Sequence, residues 1–140
     1  DGVQTFNGEA GFHDFLRGTR VLVNLLPLTP ETENILCRDT LQQLLPGAYL
    51  INVARGAHLV EEDLVALIAQ GHVAGAMLDV FRQEPLPAGH PFWTIPQITM
   101  TPHTSARTLR EDSIAQIVGK VAALSRGEAV VGMVDPRRGY

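Results

Sequence analysis

Four short, almost uninterrupted apolar runs alternate with helical patterns along this chain, and they constrain its fold more than any other feature. The runs cover residues 20–26, 48–54, 74–81 and 98–101. None of them alternates cleanly between polar and apolar residues, which is typical of strands covered on both faces. We therefore predict four buried strands of a parallel sheet.

Helical patterns lie before and between these runs. Apolar residues recur at helical spacing at Phe12, Phe15 and Leu16, at Leu36, Leu41, Leu44 and Leu45, and at Leu64, Leu67 and Ile68. A longer pattern covers residues 105–125 and carries Ile114, Ile117, Val118 and Val121 on one face, with Gly127 after it. Strands that alternate with helices predict right-handed crossovers and a doubly wound α/β fold. Residues 82–97, rich in Pro and Gly, are predicted to form a long loop.

Two absences indicate a piece of a longer chain, and the first of them predicts the second half of such a domain. The sequence contains no G-x-G-x-x-G turn, which the first half of a dinucleotide-binding domain carries, and it does not begin with Met. We expect residues 1–104 to be the second half of the binding domain. Residues 105–140 are expected to form a terminal helix and tail that return to a substrate domain outside this sequence.

Composition excludes several function classes. The single cysteine, Cys37, excludes an internal disulfide framework and a multi-cysteine zinc site, and it fits a reducing compartment such as the cytoplasm. The net charge is −4, and the ten Arg and one Lys are scattered, so we expect no nucleic-acid partner. No apolar run approaches the roughly 20 residues of a membrane span, so we expect no membrane association.

Chemically capable side chains follow each predicted strand. Leu26 to Thr32 follow the first, Arg55 the second, Asp79 and Glu84 the third, and His103 to Ser105 the fourth. In open α/β sheets the ligand binds outside the carboxyl ends of the strands. A hydroxyl cluster, a guanidinium, two carboxylates and an imidazole are therefore predicted to meet at one edge of the sheet.

Each of these residues also has an ordinary structural explanation. Arg55 could be a loop charge, Asp79 a helix cap, Glu84 a solvated loop residue and His103 a turn histidine. Several other residues are interpreted as structural: His13, His58, His72, His90 and Cys37, the last placed within the second helix. Trp93 could wall a pocket or simply pack.

Four segments in order resemble the D-2-hydroxyacid dehydrogenase family. They are the cofactor turn Leu26–Thr32 and the three signature segments Asn52–Gly56, Leu78–Leu86 and Thr101–Ala106. The resemblance extends from about residue 8 onward. It implies a Rossmann-type NAD(P)-binding domain, of which this chain is the C-terminal half.

The resemblance also implies a role for individual residues. Arg55 would hold the substrate carboxylate, His103 would be the general acid, and Glu84 would pair with His103. Cofactor contacts are implied for nine residues: Leu26, Pro27, Thr32, Val53, Ala54, Arg55, Asp79, His103 and Ser105. These types also suit the chemistry, because a guanidinium binds a carboxylate bidentately and the alkoxide formed by hydride addition needs a proton donor.

The expected function is hydride reduction of a small 2-keto acid with NADP, or alternatively NAD, by a homodimer in its intact form. Residues 1–140 by themselves are expected to be inactive. Two alternatives share the fold. A dinucleotide-sensing corepressor of the same family would keep similar residues, whereas a formate dehydrogenase would place Gln where Glu84 stands.

Overall fold

The computed structural model describes residues 2–106 and 109–135. The chain divides into two compact units, residues 1–105 and residues 106–140, and each is considered by itself. Residues 107–108 and 136–140, which belong to the predicted terminal helix and tail, lie outside the described residues.

The first unit contains the parallel sheet that the apolar runs predict. Within the described residues it has four strands in the order β1-β2-β3-β4, all parallel: β1 Val21–Asn24, β2 Ala48–Asn52, β3 Val73–Leu78 and β4 Ile98–Met100. The last residues of the strands are in register, with Asn24 opposite Asn52, Asn52 opposite Leu78, and Leu78 opposite Met100. The carboxyl ends of the strands therefore form one straight edge.

Helices lie before and between the strands, as the helical patterns predict. In chain order they are α1 Gly8–Arg17, α2 Arg38–Leu41 and α3 Glu61–Ala69, with short 3-10 helices at Gly56–His58 and Pro91–Thr94. Three acidic residues occupy the first turn of α3, where the helix dipole favours negative charge. Gly71 follows α3 with a φ of +74°, a conformation that glycine adopts without strain and that is common just after the end of a helix.

The predicted helix over Leu36–Leu45 is wrong in extent. Only the single turn α2 forms, and Leu36 instead makes a bridge with Leu59. The backbone N–H of Leu45 donates to the Thr19 carbonyl (3.1 Å) and not to a carbonyl one helical turn back. The helix therefore ends at Leu41, and Cys37 precedes it as the capping residue rather than lying within it.

The core of the first unit is aliphatic and lies between the sheet and its helices. Leu16 of α1, Leu64 and Leu67 of α3, and Leu50 and Leu78 of the central strands are all fully buried. Burying a leucine side chain stabilises the fold by about 1.5–3 kcal/mol. This packing makes the sheet a rigid support for the loops at the carboxyl ends of its strands.

The second unit contains α4, Arg110–Ser125. It starts five residues later than the predicted helix, and Gly127 follows it with a φ of +73°. No helix among the described residues has the length and apolar character needed to cross a lipid bilayer.

Candidate active site

An imidazole and a carboxylate are paired beyond the ends of β3 and β4. His103 Nδ1 and Glu84 Oε2 are 2.8 Å apart, and the two side chains are 51% and 36% exposed. Since Glu84 occupies Nδ1, the ring is oriented and Nε2 is the nitrogen available to a ligand. The predicted Glu84–His103 pairing is therefore present in the geometry.

The turn that carries His103 is built around Asp79. Both carboxylate oxygens of Asp79 are hydrogen-bonded: Oδ1 accepts from the Thr101 hydroxyl and from Thr104 N–H (2.9 Å), and Oδ2 accepts from Ser105 N–H (3.0 Å) and the Ser105 hydroxyl (2.6 Å). The backbone N–H of His103 donates to the Asp79 carbonyl (2.8 Å). These bonds hold His103 at a φ of +53°, a left-handed conformation uncommon for a residue other than glycine.

Asp79 stays ionised although its side chain is completely buried. Burial by itself raises the pKa of this carboxyl group, but hydrogen bonds from Ser105, Thr101 and Thr104 outweigh it and hold the pKa well below its ordinary value. The predicted contact of Asp79 with a cofactor remains a prediction. The hydrogen bonds of this side chain organise the 101–105 turn.

Glu84 is also held in its charged form. The hydrogen bond with His103 lowers the pKa of Glu84, and so does the bond that its Oε1 accepts from Phe81 N–H (2.9 Å). A carboxylate that stays ionised through neutral pH can fix the imidazole ring and face a positive charge on it.

Arg55 follows β2, and the next residue, Gly56, packs closely against the loop that leads to Glu84. A Cβ atom at position 56 would lie 1.9 Å from the carbonyl carbon of Phe81. Only glycine allows this close approach of two backbones. The guanidinium of Arg55 donates from Nη1 to the Ala54 carbonyl (2.7 Å).

The predicted cofactor turn lies beyond β1. The hydroxyl of Thr32 donates to the Pro27 carbonyl (2.8 Å) and accepts from Thr29 N–H (2.8 Å), so it closes the turn. Leu26 and Leu28 are 42% and 44% exposed and present apolar surface there. Val53 and buried Ala54 follow β2 on the neighbouring strand.

A cleft of about 680 Å³ adjoins the His103–Glu84 pair. Its walls are mostly apolar: Phe81, Glu84, Pro85, Leu86, Trp93, Met100, Thr101, Pro102 and His103. An oriented imidazole beside an apolar cleft can transfer a proton to a small bound molecule. The indole N–H of Trp93 donates to the Pro87 carbonyl (2.8 Å), so Trp93 is fixed as one wall.

The β1 turn and the His103–Glu84 pair lie at opposite ends of the edge. Strands β1 and β4 are three strand spacings apart, and neighbouring strands are separated by roughly 4.8 Å, so the span is about 14 Å. A small acid cannot contact both ends, whereas an extended ligand can. Among the described residues, no cluster of His, Cys, Asp or Glu could hold a metal ion.

From the sequence we assigned no role at the site to two groups of residues near this edge. Asn24, Asn52 and His58 are buried and hydrogen-bonded to one another. Two asparagines that end adjacent apolar strands were the available signal. Arg82 was also missed, although its guanidinium holds the side chain of Asn34 and the Ala57 and Leu59 carbonyls.

Comparison with known families agrees with this arrangement. Residues 3–105 match the family model of the D-isomer specific 2-hydroxyacid dehydrogenase, NAD binding domain. Glyoxylate/hydroxypyruvate reductase A of Yersinia enterocolitica is 50% identical over 140 residues, and that of Serratia proteamaculans is 51% identical. All of this chain aligns with them but only 45% of each relative does, so it spans less than half of their length.

Solved structures give the same result. A D-isomer specific 2-hydroxyacid dehydrogenase from Xanthobacter autotrophicus in complex with NADPH and MES superposes with a TM-score of 0.92 at 42% identity, over 96% of this chain and 56% of that one. An NADPH-dependent glyoxylate/hydroxypyruvate reductase from Sinorhizobium meliloti, in complex with NADP and sulfate, gives 0.88 at 34% identity, over 94% of this chain and 43% of that one.

Proposed function

The chain belongs to the D-isomer specific 2-hydroxyacid dehydrogenases and contains residues of their NAD-binding domain, and from that premise we propose that it serves the reduction of a small 2-keto acid by NADPH. The complete protein, meaning residues 1–140 with any sequence that flanks them in the cell, would carry out this reaction. The substrate proposed is glyoxylate or hydroxypyruvate, because relatives at 50% identity are named for these two acids. The observation that carries the proposal is the His103–Glu84 pair beside the apolar cleft.

The residues present fit part of a nicotinamide dinucleotide. Leu26 and Leu28 offer exposed apolar surface at the β1 end of the edge, and His103 leaves Nε2 available at the β4 end. An extended cofactor suits a span of about 14 Å. NADPH is proposed over NADH because both structural relatives named above were solved with NADPH or NADP.

The bound nicotinamide would supply the hydride, and the residues of this chain would supply the rest. Arg55 would bind the substrate carboxylate with two hydrogen bonds and orient the keto group. His103 would donate the proton from Nε2 to the carbonyl oxygen as negative charge develops there. Glu84, ionised and bonded to Nδ1, would keep the ring in position.

The test is turnover of glyoxylate and hydroxypyruvate with NADPH by the complete protein, compared with the variant His103→Ala. General acid–base groups contribute roughly 10²–10⁴-fold, so we expect the variant to lose about that factor in kcat/KM. The matched control is His13→Ala, which removes a half-buried histidine bonded to Gln43 and should leave the rate unchanged. Cofactor binding without turnover by the wild type would point instead to a dinucleotide-sensing binding protein.

A homodimeric state and a cytoplasmic location also remain proposals. Sedimentation of the complete protein would test the first, and fractionation of cells would test the second.

A further inference from the structure

Three buried polar side chains form a cluster under the carboxyl edge of the sheet. Asn24, Asn52 and His58 are 4%, 0% and 0% exposed, and we call them the amide–histidine cluster. Asn24 Nδ2 lies 3.0 Å from Asn52 Oδ1 and 3.0 Å from His58 Nδ1. Buried polar groups are costly unless they are paired, so the partners of this cluster define what it does.

Two backbone N–H groups fix the orientation of both amides. Leu26 N–H donates to Asn24 Oδ1 (3.2 Å), and Ala54 N–H donates to Asn52 Oδ1 (3.2 Å). Flipping either amide would set an NH₂ group against one of these N–H groups. The NH₂ group of Asn24 must therefore face Asn52 Oδ1 and His58 Nδ1.

This orientation selects one tautomer of His58. Nδ1 accepts from Asn24, so the ring proton resides on Nε2, which donates to the Pro27 carbonyl (3.3 Å). At the other end of the cluster, the side-chain NH₂ of Asn52 donates to the Arg55 carbonyl (3.1 Å). The cluster thus begins at the backbone of one candidate loop and ends at the backbone of another.

We propose that the amide–histidine cluster is a positioning unit that holds the 24–27 turn and the Arg55 turn in a fixed relation to each other. None of its three side chains would touch substrate or cofactor. The proposal rests on the proposed function, because these two turns are where the dinucleotide and the substrate carboxylate would bind. A fixed relation matters because hydride transfer requires both ligands to be aligned closely.

Two substitutions of His58 separate positioning from general stability. His58→Gln places an amide NH₂ near the position of Nε2, so the bond to the Pro27 carbonyl can be kept. His58→Asn places its amide near Nδ1, so Asn24 keeps an acceptor but the Pro27 carbonyl loses its donor. The matched control is His72→Asn, since His72 Nε2 also bonds a carbonyl, that of Leu41 (3.2 Å), away from this edge.

The measurements are the Kd for NADPH and the urea unfolding curve of each variant of the complete protein. We expect His58→Asn to raise the Kd about tenfold, a factor that corresponds to the loss of roughly one hydrogen bond. We expect His58→Gln to raise the Kd less than threefold. His72→Asn should leave the Kd unchanged. Equal Kd values for the two His58 variants, whatever their unfolding curves, would overturn the proposal.

A measurement on the wild type keeps the proposal testable if the variants do not fold. Ring ¹⁵N NMR of histidine-labelled complete protein should show His58 as the Nε2–H tautomer, and its Nε2 signal should shift on saturation with NADPH. An Nδ1–H tautomer, or a signal that NADPH leaves unmoved, would refute it. The Kd does not depend on turnover, so an inactive wild type would count against the proposed function and not against this unit.

Discussion

Asp79 shows how one buried charge can organise a candidate active site. Four hydrogen bonds, two from backbone N–H groups and two from hydroxyls, converge on its oxygens. They come from the segment that carries His103, so the position of the imidazole depends on the charge of Asp79. The pKa of Asp79 lies below its value in an unfolded chain, which is about 3.9.

That shift predicts a loss of stability in acid. A carboxyl group with a lowered pKa in the folded state stabilises the fold above its unfolded pKa, and this stabilisation is lost as the pH falls below about 4 toward the folded value. The pKa of Glu84 is also lowered, so protonation of Glu84 adds to the loss of stability in acid. We expect the free energy of unfolding to be steady near pH 6–7 and to fall below about pH 4. Urea unfolding at a series of pH values measures this.

Asp79→Asn should weaken the fall in the free energy of unfolding below about pH 4, and it should lower the stability at neutral pH. An amide cannot accept all four bonds, and a hydrogen bond to a charged group contributes about 1.5–3 kcal/mol, so we expect a loss of at least about 2 kcal/mol at pH 7. Asp39→Asn, at an exposed position of α2, is the control. An Asp79→Asn protein with wild-type stability at pH 7 would contradict the assigned role.

At Arg55 the geometry of the guanidinium should matter more than its charge. Arg55→Lys keeps the charge but loses the two-pronged contact with a carboxylate. We expect the KM for the keto acid to rise and kcat/KM to fall by one to two decades, the equivalent of about 1.5–3 kcal/mol. The Kd for NADPH should stay the same. Arg17→Lys, at a residue whose side chain is 64% exposed, is the matched control, and an unchanged KM in Arg55→Lys would remove Arg55 from the site.

At the scale of elements, the position of Arg55 depends on how closely two loops pack. The loop after β2 approaches the loop after β3 without a side chain between them at Gly56. Arg82 ties the same loops through the Ala57 and Leu59 carbonyls. The loop after β2 and the loop after β3 are therefore expected to move as one unit.

Gly56→Ala should push these loops apart. The added Cβ would meet Phe81 at 1.9 Å and the Arg82 nitrogen at 2.4 Å, so backbone must move. We expect a loss of about 1–3 kcal/mol in stability, as for overpacked cores, and a larger relative loss in kcat/KM for the keto acid. Gly89→Ala, with nothing within 4 Å of its added Cβ, should change neither. Wild-type kcat/KM in Gly56→Ala would show that Arg55 needs no such contact.

At the scale of the whole molecule, the sheet presents an open edge. β1 pairs only with β2 among the described residues, and Val21, Val23 and Leu25 are 52%, 47% and 72% exposed. An exposed apolar edge strand is a template for pairing with another chain. The sequence also lacks the glycine-rich turn that binds the phosphates of a dinucleotide.

We therefore expect residues 1–140, expressed by themselves, to self-associate and to fail to saturate with NADPH at concentrations that saturate the complete protein. They should not reduce glyoxylate. Sedimentation and NADPH fluorescence titration provide the measurements, with the complete protein as control. A monomeric preparation of residues 1–140 that turns over glyoxylate would contradict this expectation.

The apolar runs predicted the parallel sheet, and the residues that follow each run, together with the family resemblance, predicted the candidate site. Strands covered on both faces are apolar along their whole length, and each run separately shows this pattern. The prediction of four buried strands is wrong for β1 and β2, in which buried residues alternate with more exposed ones. Each strand ends one to three residues before its apolar run stops, and the topology brings all four strand ends to one edge. The Glu84–His103 pairing came from the family resemblance, and the geometry contains it.

The way in which these residues are held depends on contacts between segments that are distant in the sequence. The second helix stops at Leu41 because Leu45 N–H finds the Thr19 carbonyl, 26 residues earlier in the chain. Asn24 meets Asn52 because their strands pair in that register, and Gly56 is needed because Phe81 packs against it. Each of these contacts joins segments distant in the sequence, and a hydrogen bond or a steric limit between such segments leaves no periodic pattern in either one.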